Sequence, residues 1–372
     1  MSESNAAPAQ EPAVHAGPGV VSRREFLPPA NVHFADLVPE EQLLIDWQRD
    51  AFMEASGVTL VELRDVRVWS EFQSICVHDE VNGMHADLSL VDEGFAVDDI
   101  PADVPVERLE GTTALLTHLD PHNFYHWLID TVPCFGVLEL AGIDRASIDR
   151  FYLHHLNAGF QRSTLARLGV GEAQVCCPAG QRRHYEFERL LVPLFRTDRG
   201  AWPNPWAASY LKSLYLEADR RAANDPHVDG RSRRCVYVRR GETRRAVTNE
   251  AALEERLAAL GFTVLAPETH SPEEQARALA RADCVLGAHG AGLANAVFCP
   301  PGAQLLEFGG HYITTHFRVV AQMANLRHRA IAAGVGEDGE RLPITYDGDI
   351  RNLDFECDVD AVVDAARDWF GL

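Results

Sequence analysis

The sequence has no apolar run approaching the roughly 18–20 residues a membrane-crossing helix needs. Its N-terminus lacks the basic-then-apolar order of a secretory signal. Positive charge is scarce: 34 Lys and Arg face 55 Asp and Glu, a formal net charge of −21. That field repels phosphate backbones, so nucleic acid is not an expected partner. The 8 cysteines form no C-x-x-C pair and have no zinc-site spacing; apart from the adjacent Cys176 and Cys177 they are scattered. They read as reduced, mostly buried thiols, and a cytoplasmic protein is the expectation. No repeat of solenoid period occurs. Neither a G-x-G-x-x-G dinucleotide fingerprint nor a P-loop is present.

What is there suits a soluble globular protein. The chain has 372 residues, 46% hydrophobic and 24% charged, long enough for two core-bearing units. Residues 1–22, rich in Ala, Pro, Ser and Glu, are expected to be disordered. Residues 58–97 alternate β-branched and polar positions around an Asn82-Gly83 turn, an antiparallel preface to the first lobe. From 111 to 200 strand-like and helix-like pieces alternate, as βα units on a mostly parallel sheet do. Within them FYHWLIDTVPCFGVLELAG reads as a helix interrupted at Pro133. The expected divisions are an N-terminal lobe over 23–225, a linker at Asp225–Gly230, a C-terminal lobe over 231–345 and a last helix within 346–372, with the other lobe as a place for it to pack. In the second lobe Asn249 is placed to cap a helix ending at Gly261, Ser271-Pro272-Glu273-Glu274 forms a capping box, and HFRVVAQMANLRH reads as a helix.

Chemistry concentrates in three places. Gly287-Ala288-His289-Gly290-Ala291-Gly292-Leu293-Ala294-Asn295 ends a strand, removes side chains where a ligand approaches, and starts a helix with its free N–H groups aimed at the gap. Such a turn suits phosphate, although a bare βα turn has the same letters. An arginine-rich stretch from Arg231 to Arg245 is a cationic island in an acidic chain. Arg240 and Arg245 just beyond a strand suit a pyrophosphate, because guanidinium groups give fixed paired donors. Glu307 at the end of QLLEF is placed to accept from ribose hydroxyls, or simply to be a solvated strand end. In the first lobe His122, His126 and Asp130 recur every four residues and would share one helix face. That face reads as an acceptor site with Asp130 or His126 as general base, as a metal site of two imidazoles and a carboxylate, or as core packing around Trp127, Leu128 and Phe124. Asp347-Gly348-Asp349 and Asp358-Val359-Asp360 match D-x-D only superficially and are taken as structural.

Several motifs in order resemble the glycosyltransferase 61 family. They are Tyr237-Val238-Arg239-Arg240, Arg245, Asn249-Glu250, Ala282-Asp283, His289 to Asn295, Pro301-Gly302 and Leu306-Glu307. His122 to Asp130 with Thr131-Val132-Pro133 resembles the same family's other signature, so the resemblance spans about 110–330. It departs at Arg239, where the family pattern has Ser, so the donor-phosphate role is carried to Arg240. The resemblance implies an α/β GT-B fold of two Rossmann-like lobes with a cleft between them. It implies inverting, metal-independent hexosyl or pentosyl transfer from a nucleotide-sugar donor, often UDP-linked, to a glycan or lipid-linked glycan such as a capsular polysaccharide. No cofactor is implied beyond the donor as substrate, and a lipid-linked acceptor would bring the protein to a membrane peripherally. Donor-side residues on this reading are Arg240, Arg245, His289, Gly290, Ala291, Gly292, Leu293, Asn295 and Glu307. Acceptor-side residues are His122, Asn123 and Trp127, with Asp130 and His126 catalytic. The rivals are a catalytically idle nucleotide- or sugar-binding protein of the same fold and an NAD-dependent oxidoreductase, the latter opposed by the missing fingerprint.

Overall fold

In the computed structural model the described residues are 14–17, 19–31, 54–55, 57–71, 74–92, 94–116, 122–178, 181–195, 203–220, 233–336, 338–344 and 350–372. The Asp225–Gly230 linker and Asp347–Asp349 lie outside them. No described helix is long and apolar enough to cross a membrane.

The first lobe is a nine-stranded sheet. Its strands are β1 (Val14–Gly17), β2 (Val20–Leu27), β3 (Val58–Glu71), β4 (Ser74–Asp79), β5 (Gly83–Met84), β6 (Val106–Leu115), β7 (Arg150–Tyr152), β8 (Val175–Cys176) and β9 (Arg183–Leu194). β9 pairs antiparallel with β3 on one side and parallel with β6 on the other. The antiparallel preface and the βα units are therefore halves of one sheet, not successive regions. The expected disorder up to residue 22 is corrected from Val14 onward, because the hairpin β1–β2 adds to the edge of β3. β3 shows why the halves merge. Val58 and Leu60 belong to the cluster holding Trp127 and Phe135, while Val61, Leu63, Val66 and Val68 join Ile75 and Val77 on β4 in another. A strand covered on both faces must be apolar on both, at roughly 1.5–3 kcal/mol per fully buried side chain.

Helices of this lobe are α1 (Val132–Leu140) and α2 (Gly159–Arg167); α3 (Trp206–Arg220) packs on α1 and also on helices of the second lobe. The second lobe has β10 (Cys235–Val238), α4 (Glu250–Ala259), β11 (Phe262–Leu265), α5 (Pro272–Leu279), β12 (Cys284–Ala288), a 3₁₀ helix Ala291–Phe298, β13 (Gln304–Gly309), α6 (His316–Ala324), β14 (Arg327–Ala332) and α7 (Val359–Phe370). Its sheet runs β11-β10-β12-β13-β14, all parallel. Sequence direction reverses between β10 and β12, and in open α/β sheets ligands collect beyond the strand ends at such a switch point.

The capping box forms as expected, with Ser271 N–H donating to Glu274 at 2.8 Å and Glu274 N–H to the Ser271 hydroxyl at 3.3 Å. Asn249 does not cap α4; its amide reads both backbone groups of Cys357, at 2.8 and 3.0 Å, and ties the C-terminal segment down. Arg327 and His328 at the end of the expected helix open strand β14 instead, because Asn325 turns left-handed (φ 56°) and stops α6. α7 packs on its own lobe, not the other, burying Val362, Val363, Ala366 and Phe370 against Leu253, Leu257 and Phe262. One apolar cluster crosses between the sheets, from Trp127 and Phe135 to Leu293, Val320 and Leu305. None of the 8 cysteines forms a disulfide, and Cys76, Cys134, Cys235, Cys284, Cys299 and Cys357 are buried.

Candidate functional site

A cavity of about 680 Å³ opens at the switch point. The second lobe supplies the ends of β10 and β12, with Arg240, Arg244 and Arg245 on one side and Gly290 to Leu293 on the other. The first lobe closes it with Asn123, Phe124 and Phe160. The two phenyl rings meet edge to face at 5.2 Å, an apolar wall opposite the arginines.

Arg240 is placed by backbone. Glu250, the first residue of α4, accepts from the N–H groups of Arg240 at 2.6 Å and Gly241 at 2.9 Å, and from the Tyr237 hydroxyl at 2.7 Å. The Arg240 guanidinium then donates to the carbonyls of Arg245, at 3.3 Å, and Arg244. Burial and the charges of Arg245 and Arg244 push its pKa down to about 10, against the pull of Glu250. It remains a cation at neutral pH, in a place where a bound anion lowers its energy. A Cβ at Gly290 would overlap Arg240 Nη1, so glycine here lets the guanidinium lie against the turn. Arg245 takes the left-handed region (φ 62°), where a β-carbon is strained, and its guanidinium stacks 5.0 Å from the Tyr312 ring.

Beneath the turn lies a sealed polar layer. Glu307 is fully buried, with one oxygen bonded to His289 Nδ1 and the other to His328 Nε2 at 2.9 Å. Burial works to raise the carboxyl, but His289 and His328 override it and hold it at about 2. Burial pushes the His289 imidazole down; Glu307 opposes, while Arg245 and Arg240 push the same way as burial. The consistent state is an ionised Glu307 bonded to a neutral His289 and to His328. Asn295 is also buried, donating to Gln275 at 2.7 Å and to the Gly292 carbonyl at 3.0 Å, which braces the turn against α5.

In the first lobe the helix beginning at Phe124 widens into a π-turn over His126–Thr131 before α1. Val132 N–H reaches back five residues to the Trp127 carbonyl. Pro133 is the cause we assign: it has no N–H for a bond four residues back and its ring crowds that carbonyl, which a wider turn relieves. His126 Nδ1 meets Asp130 Oδ2 at 2.6 Å. Asp130 is wholly buried while the His126 side chain is 17% exposed. Of the two, only the imidazole is accessible enough to exchange a proton with a ligand. From the second lobe, the His316 ring at the start of α6 approaches Tyr125 at 4.9 Å and His126 at 6.0 Å.

The structure brings Arg240, Arg245, Gly290, Ala291, Gly292, Leu293 and Asn123 to one cavity. It leaves His289, Asn295 and Glu307 in the layer below, so Glu307 is neither a solvated strand end nor open to a ribose; both oxygens are taken. Trp127 is corrected to core, fully buried with its indole N–H 3.3 Å from Thr164. His122 does not share a face with His126 and Asp130. It sits in an exposed turn before the helix, its ring 5.6 Å from that of His155. The metal reading needed all three, and among the described residues no such group forms. The arginine island also divides: Arg233 binds Gln304 at 2.8 Å and does not line the cavity, while Arg239, paired with Glu254 at 2.8 Å, lines it beside Arg240. Asp358 caps α7, accepting from Ala361 N–H at 2.9 Å, as a structural residue does. Sequence reasoning missed Phe160, His316 and His328 as parts of the site; each lies far along the chain from the motif it serves. Pro133, inside a strongly helical pattern, was the available signal for the π-turn.

The family model for glycosyltransferase 61 matches residues 124–306. The match contains Phe124, the His126–Asp130 pair, the Arg240 loop and the glycine turn, and stops one residue short of Glu307. No curated protein matches the chain.

Proposed function

With residues 124–306 belonging to the glycosyltransferase 61 family, and the chain on that footing a glycosyltransferase, we propose that it transfers a sugar with inversion from a nucleotide-diphosphate donor. The lobes act as a GT-B pair, with the donor in the second. The observation that carries this is the crowding of Arg240, Arg244 and Arg245 beside a glycine-rich turn at the switch point. The diphosphate is held jointly by these guanidiniums and the N–H groups opening the 3₁₀ helix beside them. The nucleoside rests toward Phe124 and Phe160, and UDP is the expected carrier. As the glycosidic bond to the diphosphate breaks, the arginines neutralise the growing negative charge, the part a divalent metal plays in other transferases.

His126 takes the proton of the acceptor hydroxyl as that oxygen attacks the anomeric carbon, with Asp130 fixing the imidazole and stabilising its charged form. The acceptor, a glycan free or lipid-linked, approaches from the side of Tyr125, His126 and His316. Replacing Arg240 with Ala is expected to weaken UDP binding about 10- to 100-fold, the worth of a charge-assisted hydrogen bond, and to abolish transfer. Calorimetric titration with UDP measures it, and unchanged affinity removes Arg240 from the site. Thermal stabilisation by NAD and not by UDP would instead return the cavity to a dinucleotide.

A further inference from the structure

Glu307 is sealed, so a sugar hydroxyl in the donor cavity must meet another acceptor. Among the described residues Glu268 is the one carboxylate lining that cavity, in company with Arg239, Arg240, Arg244 and Arg245. It stands in a short 3₁₀ helix, Pro267–Thr269, that follows β11. Two glycines show where this segment lies. A Cβ on Gly241, the residue after Arg240, would be 3.5 Å from Glu268 Oε1 and 3.8 Å from Oε2, so the carboxylate runs alongside the arginine loop. A Cβ on Gly292 would be 3.2 Å from Pro267 Cγ, so the same segment abuts the glycine turn. The chain continues through Ser271 into α5, where Glu273 accepts from Ser163 of α2 at 3.4 Å, one helical turn beyond Phe160. The link from β11 to α5 thus runs from the loops assigned to a diphosphate toward the aromatic wall assigned to a base.

A carboxylate in a cavity suited to an anion works against that anion unless the ligand also brings it hydrogen-bond donors. The arginines leave it alone: Arg239 pairs with Glu254, and the Arg240 guanidinium donates to backbone carbonyls. The Glu268 side chain is exposed and forms no ion pair or hydrogen bond, so both oxygens are open to a ligand. In a nucleoside diphosphate the unit that joins the phosphates to the base is a ribose, whose vicinal hydroxyls offer two O–H donors to one carboxylate. We propose that Glu268 is the ribose-binding residue of the donor site and makes it selective for ribonucleotides over 2′-deoxyribonucleotides. This rests on the donor reading above and adds a selectivity that groups meeting only the diphosphate do not supply.

Calorimetric titration of the full chain with UDP, 2′-deoxyuridine diphosphate and inorganic pyrophosphate tests it. None of the three carries a transferred sugar, so the difference between the two nucleotides reads the ribose alone. The parent chain is expected to bind UDP about tenfold more tightly than the 2′-deoxy form, the strength of one hydrogen bond to a charged group. In Glu268→Ala that ratio should fall to near one while pyrophosphate affinity does not fall. The side chain is exposed, so the variant should keep its fold, and its melting temperature checks this. Equal affinity of the parent chain for both nucleotides overturns the proposal, and so does a preference that survives Glu268→Ala. An equal change for both nucleotides in the variant also overturns it, since the carboxylate would then act on another part of the ligand. Failure of UDP to bind the parent chain at all would bring down the donor reading itself, an outcome distinct from binding without discrimination.

Discussion

Each lobe carries an imidazole joined through Nδ1 to a buried carboxylate: His126 with Asp130 in the first, His289 with Glu307 in the second. The bond is the same and the surroundings are not. The His126 side chain is 17% exposed and the His289 side chain 7%. Glu307 grips a second imidazole, His328, and lies beneath a turn whose outer face is backbone. Asp130 lies under a π-turn that leaves its imidazole facing α6. A carboxylate–imidazole pair is thus not by itself a catalytic device. Where it is sealed it fixes a backbone turn, and where it opens it can exchange a proton with a substrate.

The largest expected effect separates the two roles. His126→Ala should lower the transfer rate about 10²- to 10⁴-fold, the contribution of a positioned general base, while UDP affinity is kept. Glu307→Ala should do the reverse in kind. It strips the partner from two buried imidazoles, and each buried donor left unsatisfied costs about 1–3 kcal/mol of stability. Steady-state rates and denaturant melts on both variants test this. A Glu307→Ala protein with unchanged stability and no activity would make both pairs catalytic and end the distinction.

A smaller effect sharpens the donor half. Gly290→Ala adds one carbon where Arg240 now lies, so the guanidinium must leave the turn. Because φ at Gly290 is −178°, the backbone accepts alanine and the melting temperature should barely move. Donor affinity should fall about tenfold, the worth of one misplaced charged contact. Loss of stability with affinity intact would mean that the glycine serves packing alone.

The same contrast explains what was legible beforehand. The glycine turn, the capping box at Ser271 and the arginines after β10 are local signals, because a turn, a cap or a strand end is specified within a few residues. Glu307 was misread because its partners stand 18 residues before it and 21 after, and nothing local distinguishes a buried carboxylate from a solvated one. The His122–His126–Asp130 face was misread at His122, because the helix begins only at Phe124; His126 and Asp130 keep their i, i+4 contact through the π-turn. The first two residues of β14 were merged into a helix because its half-polar RHRAIA has no clean period, and it is a strand through pairing with β13. The second wall of the donor cavity, Phe160, follows from lobe packing that no single segment encodes.

The smallest effect concerns acid. Burial pushes the His78 imidazole in the first lobe down to about 4, helped by the neighbouring His184 and Arg67. His154 is pushed to about 4 by burial and by His155, and burial lowers His184 as well. Between the unfolded value near 6.5 and about 4 the unfolded chain holds these protons and the folded one does not, so stability falls as pH falls. Each such imidazole costs up to about 1.4 kcal/mol per pH unit in that window. In the second lobe His289 acts in the same sense. Glu307 is silent there: its contribution is complete above its unfolded value of 4.5 and is lost only as pH falls through about 2. Acidification from pH 6.5 to 5 should therefore loosen the first sheet before the second. Hydrogen exchange corrected for intrinsic rates reads it, comparing amides of β7 and β9 with those of β12 and β13. Earlier loss of protection in β13 would mean that the His289–Glu307 layer, not the first lobe's buried imidazoles, is the acid-sensitive part of the molecule.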